Sequence, residues 1–362
     1  MKRAAAIIAV MMLFSVACAA GDAEYMENVG SAVPNEVSEI IGGVPEGGFS
    51  SGDIGIGLFL KMIGGAIKGA APDAAKSFAV LIGLMIISSV IGAFRGTVAS
   101  KALGEALEFI SVLCVCGAAF SMTSAVFRVA EEFISGMSVF LQTLIPTLTI
   151  LSAAGGNITF ATASSVTVSA AMTMLDAVCS SVVLPLLKIC FCISVSSAMC
   201  GSVDLSGVGA AIKKVITTVL ALSGIVLSAV MIFQRIITRS ADSAALRGIK
   251  FAVGSLIPFV GNAIGEAITT ISGSVGVLRA TVGISGAIVL CAMVIMPTAG
   301  LVIEKLFIDV ASGAAALLGL EKERKFLSEM SGVVGFLVAT VAFVGTFFII
   351  AVAVIAGTEV SA

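Results

Sequence analysis

Five stretches of this chain, 78–94, 109–127, 215–233, 282–303 and 333–356, contain no charged residue. Each is about as long as the roughly 20-residue helix that crosses a ~30 Å hydrocarbon core. Lipid offers the backbone no hydrogen bonds, so a segment crossing it outside a closed barrel is helical. The four weaker apolar stretches 137–154, 158–175, 177–199 and 251–271 bring the candidates to nine. The expectation is an all-α, polytopic integral membrane protein of about six to nine apolar helices, some of them broken or re-entrant.

The residue inventory narrows the function. Hydrophobic residues make up 59% of the chain and charged ones 12%, against about 25% charged in an average soluble domain. With no histidine, Ser-His-Asp and Cys-His catalysis and His-ligated zinc are excluded. No G-x-x-x-x-G-K-[ST] loop is present to hold nucleotide phosphates. The eight cysteines, most of them in apolar stretches, read as packing residues. No enzyme, cofactor, metal or nucleic-acid partner is expected, and the lipid bilayer is the first partner.

Three regions follow from composition. Residues 1–20 read as a signal peptide, with Lys2 and Arg3 before the apolar run 4–17 and small residues at 18–20. Residues 21–76 read as an acidic extracytoplasmic arm ending in an amphipathic helix, where Lys61 and Lys68 can snorkel beside Leu58, Met62, Ile63 and Ile67. Residues 77–358 form the multispan domain.

An outer arm sends the first crossing inward and puts Arg95 and Lys101 in the cytoplasm. The basic stretch Arg235, Arg239, Arg247 and Lys250 is expected there too. Counting every weak segment as a crossing places it outside. The repair is to make 137–154 or 177–199 re-entrant, which moves Lys213 and Lys214 outside.

Candidate functional residues are those out of place in lipid. Lys188 lies in an apolar run, where a charge costs on the order of 2.5–3.5 kcal/mol at mid-bilayer. Asp176 is its candidate counter-ion, and Glu266 is the other acid within an apolar region. Pro146, Pro185, Pro258 and Pro297 are candidate helix breaks. The sequence 144–146 followed by Gly156-Asn157 is echoed by 256–258 followed by Gly261-Asn262, the kind of paired interruption that points to transporter-type binding elements. Asn157 and Asn262 join the candidates. Two readings stand: these groups surround an aqueous path, or they snorkel and repair local backbone.

The core K-F-x-x-G-x-x-I-P-x-x-G, Lys250 to Gly261, with Leu184-Pro185-Leu186-Leu187, the Pro146 to Asn157 passage and the closing apolar helix, resembles the stage III sporulation protein AE family. The resemblance implies a multi-pass protein of the mother-cell-derived membrane around the forespore. It implies a place in a channel or secretion-like complex needed for late forespore gene expression. The implied partners are the other stage III sporulation membrane, ring and ATPase subunits, with a separate ATPase supplying energy. The leading expectation is the conduit or permease-like core of that complex. A non-conducting structural hub that recruits ring and ATPase subunits is the alternative, and an independent solute transporter the third.

Overall fold

The structure, a computed structural model, describes residues 56–95, 101–154, 158–199, 206–256 and 261–356. The signal-like segment, most of the acidic arm, Asn157 and Pro258 lie outside the described residues. Every element among those described is helical: α1 Ile56–Arg95, α2 Lys101–Ala154, α3 Ile158–Val178, a π-turn Cys179–Val183, α4 Leu184–Met199, α5 Ser206–Leu256, α6 Gly261–Leu317 and α7 Glu321–Ala356. Among the described residues, six helical runs are long and apolar enough to cross a membrane. The chain is an all-α polytopic membrane protein.

Two fusions, of 109–127 with 137–154 and of 158–175 with 177–199, shorten the count of nine candidates, and 251–271 lies partly outside the described residues. The charged residues between 109–127 and 137–154 continue the helix, and α2 runs for 54 residues, about 80 Å at 1.5 Å per residue. Arg128 and Glu132 are good helix formers and pair one turn apart at 3.7 Å. They punctuate the hydropathy without breaking the backbone. The amphipathic stretch 54–76 and the apolar stretch 78–94 likewise fuse into α1 from Ile56 onward. The connector holding Arg235 to Lys250 is the second half of α5.

The prolines act unevenly. Pro146 and Pro297 sit inside the continuous helices α2 and α6. Pro185 follows the π-turn, in which the Leu184 N–H donates to the Cys179 carbonyl five residues back. A proline supplies no N–H and its ring crowds the carbonyl four residues earlier. A wider turn ahead of it absorbs that conflict, so 158–199 stays one helical rod where two segments were expected.

α6 and α7 are joined by a tight turn. Leu320 N–H donates to Ala315 O at 2.9 Å and Gly319 N–H to Ala316 O at 3.2 Å, the two bonds of a Schellman motif. Gly319 takes the required left-handed conformation at φ 72°. Glu321 and Glu323 then occupy the first turn of α7, where acids complement the helix dipole.

The packed centre draws Phe140 from α2, Leu81 and Met85 from α1, and Phe326 and Phe348 from α7. Val80, Phe94, Phe120, Ile225 and Phe233 remain on the outside. A bundle apolar inside and out is built for lipid or for burial against other protein. Two approaches fix the register of α1 against α6. A Cβ added at Gly300 would lie 3.5 Å from the Ala70 Cβ, and the rings of Phe78 and Phe307 lie 4.9 Å apart.

Candidate functional site: a polar seam between two long helices

Glu131, Ser135, Ser138 and Gln142 fall at intervals of four, three and four along α2, which places them on one face. Opposite them, Asp176 at the end of α3 and Ser180 in the π-turn complete a groove of about 480 Å³, walled by Ile134, Val139 and Leu184. This is a polar strip between two long, mainly apolar helices.

Lys188, on α4, stands beside the strip, paired with Glu131. Its Nζ donates to Glu131 Oε1 at 2.5 Å and stands 5.8 Å from the centre of the Phe127 ring, one turn before Glu131. Both side chains of the pair stay about half exposed, 51% and 46%. The ammonium thus has an anion and an aromatic face beside it.

The counter-ion differs from the expected one. Asp176 and Lys188 are twelve residues apart on one helical rod, a rise of about 18 Å. No lysine spans that distance, so Glu131 from the neighbouring helix takes the role. Asp176 lies in the same groove as Glu131 and has no basic partner among the described residues. Glu266 and Asn262 are carried on the early turns of α6, and their side chains lie outside the described set.

Ser135, Ser138, Gln142, Ser180 and Glu131 were missed as site residues. Their helical spacing was available, but reading 128–136 as a connector between crossings cut the α2 strip in two.

Two further polar clusters lie where α1 ends, α2, α5 and α7 begin, and α6 turns. Glu323, 5% exposed, accepts a 2.9 Å hydrogen bond from Ser88, which in turn accepts one from Ser111. Beside it, Lys322 pairs with Glu108 at 2.9 Å. Around α7, Lys213 pairs with Glu329 at 3.1 Å, and Lys305 binds Asp309 at 2.6 Å and Ser331 at 3.0 Å. Gly332 and Gly335 leave room for the two lysine side chains, each within 3.3 Å of where a Cβ would stand. These clusters join α1 to α2 and α7, and α5 and α6 to α7.

Residues 51–359 match the family model of stage III sporulation protein AE. The chain belongs to that family. No curated protein and no solved structure matches it. Membership in the stage III sporulation protein AE family gives this membrane protein a role in stage III of sporulation.

Proposed function

We propose that the protein is the conduit or permease-like membrane core of the complex that joins the mother cell to the forespore and supports late forespore gene expression. It acts without catalysis of its own, in the mother-cell-derived membrane, alongside ring subunits and a separate ATPase. The observation that carries this reading is the seam. Glu131 and Asp176 line a polar groove between helices of spanning length and Lys188 pairs with Glu131 beside it, and ionisable groups on such helices mark pathways by default.

The test replaces the native protein in sporulating cells with tagged Lys188→Met, Glu131→Gln or Asp176→Asn. Abundance, co-purification of ring and ATPase subunits, and a late forespore reporter are read together. Normal assembly with a silent reporter supports the conduit. Normal assembly with normal reporter activity in all three variants overturns it and leaves the structural hub.

A further inference from the structure

We infer that the cavity beside the α6–α7 turn is a binding site for a guanidinium group, the arginine side chain of a partner protein. The inference goes beyond the conduit reading and is independent of it, because the cavity shares no lining residue with the seam. About 530 Å³ of space opens where the end of α1, the start of α2 and the turn meet, lined in part by Ser88, Ser111, Glu108, Lys322 and Glu323.

Glu323 is the group that calls for a cation. It is only 5% exposed, and burying a carboxylate without a counter-charge is costly. The neighbouring acids have theirs: Glu108 pairs with Lys322 at 2.9 Å and Glu321 with Arg324 at 2.8 Å. Glu323 has no basic partner among the described residues. Its Oε1 accepts from Ser88, which accepts from Ser111, so two hydroxyls in series are turned toward the carboxylate. Oε2 accepts from no described donor, and the side chain lines the cavity.

The helix that carries Glu323 does not meet this need. A glutamate at the third position of a helix ordinarily reaches back to the backbone N–H at the cap. That N–H, on Leu320, already donates to Ala315 O. The start of α7 supplies roughly half a positive charge, which Glu321 in the same turn shares.

Other features select the kind of cation. α6 ends at Leu317, and Leu318, Gly319 and Leu320 line the cavity, so the negative end of that helix's dipole adds to the pull on a cation. No group of three His, Cys, Asp or Glu side chains suited to a metal ion occurs among the described residues, which favours an organic cation. A planar guanidinium gives parallel N–H bonds to a carboxylate and reaches oxygens beside it. Phe94 and Leu317, both exposed, adjoin the lining residues Ala93 and Leu318. An apolar rim around a buried polar pocket is the setting in which an arginine anchors a protein contact, and it commits the source to a protein.

The experiment uses the purified full chain in detergent, with N-acetylarginine amide as probe and its neutral isostere N-acetylcitrulline amide as control. Glu323→Gln keeps an acceptor for Ser88 and removes the charge. The arginine probe should raise the melting temperature of the native chain saturably and leave Glu323→Gln unmoved, with the citrulline probe inert on both. Without probe, Glu323→Gln should melt at or above the native temperature, because it removes a buried charge that has no partner. No shift with the arginine probe, or equal shifts with the two probes or in the two proteins, would overturn the inference. So would a Glu323→Gln protein that melts well below the native one, because the carboxylate would then be satisfied within the chain.

In sporulating cells, a photo-cross-linking residue in place of Leu317 should capture a protein through a peptide that contains arginine. The adduct should fall at least about tenfold in Glu323→Gln at equal abundance, and changing that arginine to glutamine should do the same. Adducts indifferent to Glu323→Gln, or formed only with lipid or with a second copy of this chain, would overturn the inference. Every variant here leaves the seam intact, so failure at this cavity leaves the conduit reading to its own test.

Discussion

Gly345 on α7 stands so close to Val294 on α6 that a methyl group placed on it would lie 2.4 Å from Val294 Cγ2. The two longest-packed helices of the bundle touch nearly backbone to side chain at this point, the arrangement small residues allow between membrane helices.

Gly345→Ala should therefore destabilise the protein. The propensity gain of about 1 kcal/mol for Gly to Ala in a helix is outweighed by overpacking, which costs about 1–3 kcal/mol, against a β-branched side chain with little freedom to move. Gly83→Ala, with nothing within 4 Å of the new Cβ, serves as the control and should be neutral or mildly stabilising. Thermal unfolding of the purified protein in detergent checks both, and adding Val294→Ala to Gly345→Ala should recover most of the loss.

The α6–α7 turn makes a second prediction. Gly319 at φ 72° should cost about 1–2 kcal/mol when changed to alanine, the penalty of a left-handed conformation for an L-residue. Gly319→Asn should cost less, because asparagine tolerates that region. Melting temperatures in the order glycine, asparagine, alanine are the expected result.

Lys213 and Glu329 make a third. Their side chains are 22% and 33% exposed, and Gly332 leaves space for the ammonium. Lys213→Met should destabilise by about 1–3 kcal/mol by leaving the carboxylate unpaired, while the double change Lys213→Met, Glu329→Met should cost less than that single one. A double-mutant cycle on unfolding in detergent measures the difference.

Much of this fold could be read from residue order, because bilayer-length uncharged stretches leave a chain few choices beyond helices. The number of crossings could not be read the same way. Arg128, Glu131 and Glu132 look like a loop on a hydropathy scan, yet each is a competent helix former and the backbone runs through them unbroken. Pro185 looks like a break, yet one π-turn absorbs it. The choice of Glu131 over Asp176 as the partner of Lys188 depends on which helix lies alongside, which no local pattern states. The 18 Å rise between Asp176 and Lys188 was available from helix geometry alone.

Fusing those segments changes the orientation. With 102–150 and 165–199 each crossing once, Lys214 returns to the same side as the 96–100 segment and the α6–α7 turn. That end also carries Lys213, Lys322, Arg324 and Lys325, so the positive-inside rule assigns it to the cytoplasm. α5 crosses between Gly207 and Phe233 and carries Arg247 to the opposite side, the reverse of the expectation from charge counting. Lys214→Cys should be labelled only from the cytoplasmic side and Arg247→Cys only from the other. Labelling of both from one side would contradict six crossings.

The central claim is that the Lys188–Glu131 pair in the seam serves the work of the sporulation complex, and a charge swap tests it most directly. Lys188→Glu, Glu131→Lys and the double swap are made in sporulating cells, and late forespore reporter activity is measured per assembled protein. Each single change places two like charges within 2.5 Å geometry and should cut activity by about tenfold or more, the equivalent of about 1.4 kcal/mol, with the double swap restoring most of it. Equal activity across all four proteins at equal assembly would contradict the account.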